Sequence, residues 1–439
     1  MEHISRPPLP QARTDSGNTG PLIIITTLFF MWGLLTALND VLIPHLKALY
    51  ALSYSQAMLV QFCFFGAYFL VSLPAGALIR RIGYQNGAVA GLVVAAAGCA
   101  LFYPASNSGY ALFLFGFFVL AAGITILQVA ANPYVTVLGD PQTASSRLTL
   151  TQAFNSLGTA IAPALGGMLI LSGHVLDQAE LAQLLPGQQT LYRASQAASV
   201  QMPYLVLAGA LLALALMFAC ARLPKIDHDA AAPPRGQAGR RSVLAHPHLV
   251  MGALGIFLYV GAEVSIGSFL INFLEAPQIA ALSPAAAAHY VSYYWGGAMV
   301  GRFIGFGVMR FVSPGKALGC TAGAAIALVL VAVFGRGHAA MWAILAVGLC
   351  NSIMFPTIFS MALHRLGNLT GQASGILCMA IVGGALVPFL QGLFADTIGL
   401  QQSFLVPAAC FAFILYFGLK FSGLYHRDDV SPISTRSNT

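Results

Sequence analysis

Two carboxylates lie where carboxylates are rare. Asp40 sits in F-F-M-W-G-L-L-T-A-L-N-D-V-L-I-P-H-L-K (29–47) and Glu263 in Y-V-G-A-E-V-S-I-G-S-F (259–269), each inside a long apolar run. A charge at the centre of a bilayer costs about 3 kcal/mol on insertion scales, so an ionisable group kept there is a functional candidate by default. Four residues after Asp40 stands Pro44, which has no N–H to give the Asp40 carbonyl and kinks the helix at that point. A carboxyl beside such a kink can take up a proton or bind ligand hydroxyls; the structural alternative is a plain hydrogen-bonding group. Glu263 can load and release a proton or contact a ligand. Its structural alternative is an ion pair with Arg302, the one deeply placed cation.

The second group is made of amides. Gln128 and Asn132 are four residues apart, and Gln152 and Asn155 three apart, so each pair shares a helix face. An amide offers two donors and an acceptor, a set that suits the paired hydroxyls of a hexose; the alternative is a contact between helices, worth about 0.6–2 kcal/mol. Asn132 precedes Pro133, and that pair reads as the shaper of a bend. Trp32, eight residues before Asp40 on roughly the same face, can stack on the apolar face of a sugar or anchor the helix at the interface. Asn39 and Asn351, with Gln61, Asn272 and Trp295, are further candidates. The ten His form no metal pair, and the seven Cys sit in apolar surroundings without ligand spacing. No nucleophile elbow, phosphate loop or metal cluster points to an enzyme, and no cofactor is implied.

These side chains need elements that hold them at membrane depth. Of 439 residues, 58% are hydrophobic and 8% charged, against about 25% charged in soluble domains. That excludes a water-soluble enzyme or nucleic-acid binder and makes the chain an all-α integral membrane protein. A ruler of about 20 apolar residues per crossing gives twelve transmembrane helices. The net charge of +7 then sets orientation and does not recruit nucleic acid. Sixteen of the 20 Lys and Arg fall on the side of the two termini, which places both termini in the cytoplasm. The chain divides into a cytoplasmic tail (1–20), a six-helix half (21–222), a Pro-, Ala- and Arg-rich cytoplasmic linker (223–247), a second six-helix half (248–422) and a cytoplasmic tail (423–439).

The halves repeat. Gly76 and Arg81 fall on Gly305 and Arg310 at an offset of 229; Gly158, Pro163 and Gly167 fall on Gly383, Pro388 and Gly392 at 225; Gln128 and Pro133 fall on Asn351 and Pro356 at 223. Two parallel six-helix repeats enclosing a midplane site are the plan of a major-facilitator-type transporter. Arg80, Arg81, Arg310 and Lys316 occupy matching turns, where cations near C-terminal helix dipoles favour one conformational state.

The motifs at 29–47 and 259–269, with I-L-Q-V-A-A-N-P-Y-V-T-V-L-G (126–139), R-L-T-L-T-Q-A-F-N-S-L-G (147–158) and F-P-T-I-F-S (355–360), resemble the fucose/galactose/glucose:proton symporters of the major facilitator superfamily. The resemblance runs from about residue 20 to 420 and leans to the bacterial glucose/galactose branch. It implies cation-coupled sugar uptake across a bacterial inner membrane; the expected partners are a hexose and membrane lipid, and the expected state is a monomer. It implies that Asp40 is a protonation and sugar-binding site and that Gln152 and Asn155 contact sugar. The fucose branch carries a Glu at the position of Gln128, which cannot titrate here; in the glucose/galactose branch this Gln occurs together with the Glu at 263. The coupling cation is H+, with Na+ as the alternative. An uncoupled carrier, a carrier for fucose or N-acetylglucosamine, and a channel or sugar-sensing receptor are the competing functions.

Overall fold

The structure, a computed structural model, describes residues 22–36, 54–138, 140–169, 185, 187–189, 192, 201–221 and 243–425. Asn39 and Asp40 lie outside the described residues, as do the N-terminal tail, most of the linker and most of the C-terminal tail. Helix α1 is Leu22–Thr36. The stretch Tyr54–Ser108 breaks at Gly83 into α2 (54–82) and α3 (84–108). Then follow α4 Tyr110–Val137, α5 Ala144–Leu169, α6 Gln201–Cys220, α7 Pro247–Glu275, α8 Pro284–Val308 and α9 Pro314–Phe334. The last three are α10 Gly337–Leu363, α11 Thr370–Ile398 and α12 Leu400–Lys420.

Local sequence explains where these helices start and stop. Proline opens α7, α8 and α9, where its missing N–H belongs to a group that has no helical partner anyway. Ser283 caps α8, its side chain accepting the Ala286 N–H at 3.3 Å. The turns from α2 to α3 and from α3 to α4 are single glycines, Gly83 at φ 83° and Gly109 at φ 95°, a region that other residues enter only with strain. Helices α2, α3 and α4 therefore follow one another, antiparallel, with almost no loop.

Eight described stretches are long and apolar enough to cross a membrane, one of them containing both α2 and α3. Helices α5 and α8 are not among them, because polar residues interrupt their apolar runs; those two helices carry Gln152, Asn155, Ser156 and Arg302. Leu, Phe and Val exposed on the flanks, Leu70, Leu216 and Phe389 among them, give the bundle the apolar perimeter that lipid requires.

The antiparallel order puts Arg80, Arg81, Arg147, Arg310, Lys316, Arg365 and Lys420 at one end, here called the basic end. The halves touch there. Arg80 donates to Gln372 at 3.3 Å, Ser145 meets Ser360 at 2.5 Å, and Ser146 donates to the Phe306 carbonyl at 2.8 Å. A Cβ on Gly76 would lie 2.8 Å from the Gly371 carbonyl oxygen, so α2 and α11 pack backbone to backbone. Contacts climb to mid-height, where Phe154 meets Phe303 with ring centres 6.1 Å apart.

Candidate functional site

Asn155 sits where α5 crosses α1. Its Nδ2 donates to the Phe29 carbonyl at 2.9 Å, and Thr159, one turn on, reaches the Gly33 carbonyl at 3.4 Å. A Cβ on Gly158 would run into the Phe30 carbonyl, and one on Gly33 into that of Asn155, so this crossing exists only because both positions lack side chains. Helices α7 and α11 repeat it. A Cβ on Gly383, the repeat partner of Gly158, would strike the Phe257 carbonyl, and one on Gly261 would strike Val387. Trp32 is buried one turn along α1, its ring 5.3 Å from that of Phe29. One amide N–H of Asn155 is therefore engaged in helix packing, the structural role that stood beside sugar contact. Gln152 is buried on the same helix, and its carbonyl accepts the Ser156 hydroxyl at 3.0 Å.

Pro133 lies within α4 and leaves the carbonyl of Val129, four residues earlier, without its helical donor. Ser374 of α11 supplies one at 3.0 Å. Gln128 and Asn132 flank that carbonyl in the buried part of the helix. Gln128 Oε1 and both amide atoms of Asn132 have no hydrogen-bond partner among the described residues. Buried amides of this kind are rare and call for an explanation.

Helix α10 shows the same device. Pro356 frees the carbonyl of Ser352, and the helix breaks between Asn351 and Met354. Arg302 of α8 fills the gap, its Nε donating to Ser352 O at 3.2 Å while a terminal nitrogen donates to Ser156 of the opposite half. The ion pair between Arg302 and Glu263, expected as a structural alternative, is not formed. A proline-freed carbonyl and a serine hydroxyl take the guanidinium instead.

Glu263 is half-buried on α7. Tyr259, one turn before it, donates its hydroxyl to Glu263 Oε1 at 2.7 Å and lies 3.1 Å from the carbonyl oxygen of Asn351. Asn351 is buried at the break in α10; its Nδ2 donates to the hydroxyl of Tyr294 at 2.8 Å, and its Oδ1 has no partner among the described residues. The Tyr294 hydroxyl lies 3.4 Å from the backbone carbonyl of Glu263. Sequence reasoning missed both tyrosines and the Arg302–Ser156 link. The spacing of Tyr259 and Glu263, four apart on a helix, carried a readable signal; Tyr294 carried none.

At the basic end, Arg80 and Arg81 lie in the last turn of α2. Arg310 follows the end of α8, its guanidinium 4.4 Å from the Phe306 ring centre. Lys316 corrects the helix-dipole expectation. It is in the first turn of α9, behind Ser313 and Pro314, so it faces the positive end of a dipole.

The described candidates are chiefly amides and hydroxyls, with the indole of Trp32 buried on α1 and the carboxyl of Glu263 on α7. Among the described residues, no group of three or more His, Cys, Asp or Glu could hold a metal. Two helical halves packed around polar groups at mid-height define a secondary-transporter architecture. The chain belongs to the Major Facilitator Superfamily, whose family model matches residues 23–381. It is 56% identical over 414 residues to the glucose/galactose transporter of Brucella abortus, covering 94% of this chain and 97% of that one. It is 35% identical over 404 residues to the L-fucose-proton symporter of Escherichia coli, covering 90% and 92%. A crystal structure of FucP in the outward conformation superimposes with a TM-score of 0.85 at 34% identity, covering 91% of this chain and 98% of that one.

Proposed function

We propose that this chain imports glucose and galactose by cation symport, with H+ as the coupling ion, across a bacterial inner membrane. Both termini lie in the cytoplasm, and the protein works as a monomer in lipid without a cofactor. The observation that carries this reading is 56% identity, over nearly the whole of both chains, to a glucose/galactose transporter. The amide-rich site agrees with it.

In the mechanism, a protonated Asp40 and the amides of Asn39, Gln128, Gln152, Asn155 and Asn351 hold the sugar hydroxyls, and Trp32 covers one sugar face. Glu263 takes part in coupling from the opposite half. The proton neutralises the Asp40 carboxylate, and with sugar bound beside it the halves rock. With the basic end cytoplasmic, the inter-half contacts there close the inward path. Arg80, Arg81 and Arg310 hold that closed end, and Lys316 acts with them from the start of α9. Release of the proton to the cytoplasm then assists release of sugar.

The test is counterflow of labelled hexoses by purified protein in proteoliposomes, repeated across pH and with sodium removed. Exchange of glucose and galactose that needs no sodium supports the reading. Exchange of fucose or N-acetylglucosamine alone, or a strict need for sodium, replaces it with the corresponding carrier. Ion currents without counterflow would mark a channel.

A further inference from the structure

The hydroxyl of Tyr259 has one hydrogen and two acceptors within reach, Glu263 Oε1 at 2.7 Å and the Asn351 carbonyl oxygen at 3.1 Å. A phenol donates only once at a time. When Glu263 is a carboxylate it takes that hydrogen, the shorter and charge-assisted choice. When Glu263 is a carboxylic acid it carries a hydrogen of its own and no longer needs the one on Tyr259.

We propose that Tyr259 is a positioning residue that passes the protonation state of Glu263 to the break in α10. A proton from the aqueous cavity adds to the Glu263 carboxylate. The new acid O–H donates to the Tyr259 oxygen, and the Tyr259 O–H turns about its C–O bond to donate to Asn351 O. No proton leaves the tyrosine. Protonation thus adds one hydrogen bond between α7 and α10, and deprotonation removes it. This rests on the proton-coupled reading above and gives that reading a mechanical step in the second half.

The surroundings favour such a relay. Asn351 closes the first segment of α10, where the last helical carbonyls lack intrahelical donors. Its side chain is fixed by the bond from Nδ2 to the Tyr294 hydroxyl, so a new bond at its carbonyl is felt by the backbone at the break. The same break is held on its other side by Arg302, which also reaches Ser156 in the opposite half. A change at Asn351 therefore lies beside a direct link between the halves. Among the described residues, the titratable and charged groups that face Glu263 are Tyr259 on its own helix and Tyr294 and Arg302 on α8. Neither tyrosine needs to ionise for the step to occur.

The test uses purified protein in proteoliposomes with labelled galactose. Tyr259→Phe should lower accumulation under an imposed proton gradient roughly tenfold, the loss expected for one charge-assisted hydrogen bond. Counterflow without a gradient should persist and lose the part of its pH dependence that comes from Glu263, the part set by Asp40 remaining. Glu263→Gln, whose amide donates to Tyr259 as the acid would, should give the same loss of pH dependence, and adding Tyr259→Phe to it should cause no further fall in accumulation. Full accumulation by Tyr259→Phe with an unchanged pH profile, or additive losses in the double variant, overturns the relay. If wild-type protein shows no hexose counterflow, the sugar reading fails instead, so the two failures are distinguishable. Should Tyr259→Phe not fold, pH-difference infrared spectroscopy of the wild type decides. The relay requires a tyrosine C–O band that shifts with the same midpoint as a carboxyl C=O band, and a tyrosine band that ignores pH contradicts it.

Discussion

In α4, Pro133 frees the carbonyl of Val129, and a hydroxyl from the opposite half, Ser374, satisfies it. In α10, Pro356 frees the carbonyl of Ser352, the repeat partner of Val129 at an offset of 223, and Arg302 satisfies it. The residue that corresponds to Ser374 in the first half is Thr149, at an offset of 225. Its hydroxyl is buried and has no partner among the described residues. The scaffold has kept its symmetry while the chemistry at matching points has separated. A guanidinium has taken the place of a hydroxyl, and its second arm reaches Ser156 across the boundary between halves. Around these matched kinks the first half gathers amides, and the second gathers a carboxylate with two tyrosines.

The comparison can be broken at points of decreasing effect. Gly158→Val and Gly383→Val attack the two matched crossings, and each should destabilise the protein by about 3 kcal/mol or more, since backbone must move to admit the side chain. Thermal unfolding in detergent checks this, and a large loss for one with none for the other would deny that the crossings are equivalent. Arg302 and Ser156 form the asymmetric link. A double-mutant cycle of Arg302→Gln and Ser156→Ala should return a coupling of about 1–2 kcal/mol, whereas additivity would mean that the contact carries no energy. Ser374→Ala leaves the Val129 carbonyl without its donor and should cost about 1–2 kcal/mol. Thr149→Val, which deletes an unpartnered hydroxyl at nearly constant volume, should be neutral or slightly stabilising, within about 0.5 kcal/mol. Equal losses for Ser374→Ala and Thr149→Val would erase the distinction between the halves.

Much of this was legible in the sequence because glycine and proline act locally. The offsets matched Gly158 to Gly383 and Pro133 to Pro356, and Asn132–Pro133 read as a bend; the close crossings and the partners of the freed carbonyls came from the structure. Ser313 and Pro314 carry a helix-start signal that the C-terminal reading of Lys316 passed over, so Lys316 lies at the positive end of a dipole. What the sequence left unread was pairing across long separations. Nothing near Arg302 names Ser156 as its partner, and Asn351 and Tyr294 meet only because α8 and α10 pack together. Asn155 was recognised as a polar group at depth, but its use in holding the Phe29 carbonyl depends on a crossing that spacing alone does not define. Asp40 and Asn39 rest on the sequence, since they lie outside the described residues.

The central claim is that a carboxyl in the opening helix couples a cation to hexose passage. Purified protein in proteoliposomes, given labelled galactose and an imposed proton gradient, tests it most directly. Wild-type protein should concentrate galactose inside the vesicles, while Asp40→Asn should still exchange labelled for unlabelled sugar yet accumulate none above equilibrium. Full uphill accumulation by Asp40→Asn, or a wild type that merely equilibrates galactose whatever gradient is applied, would contradict the account.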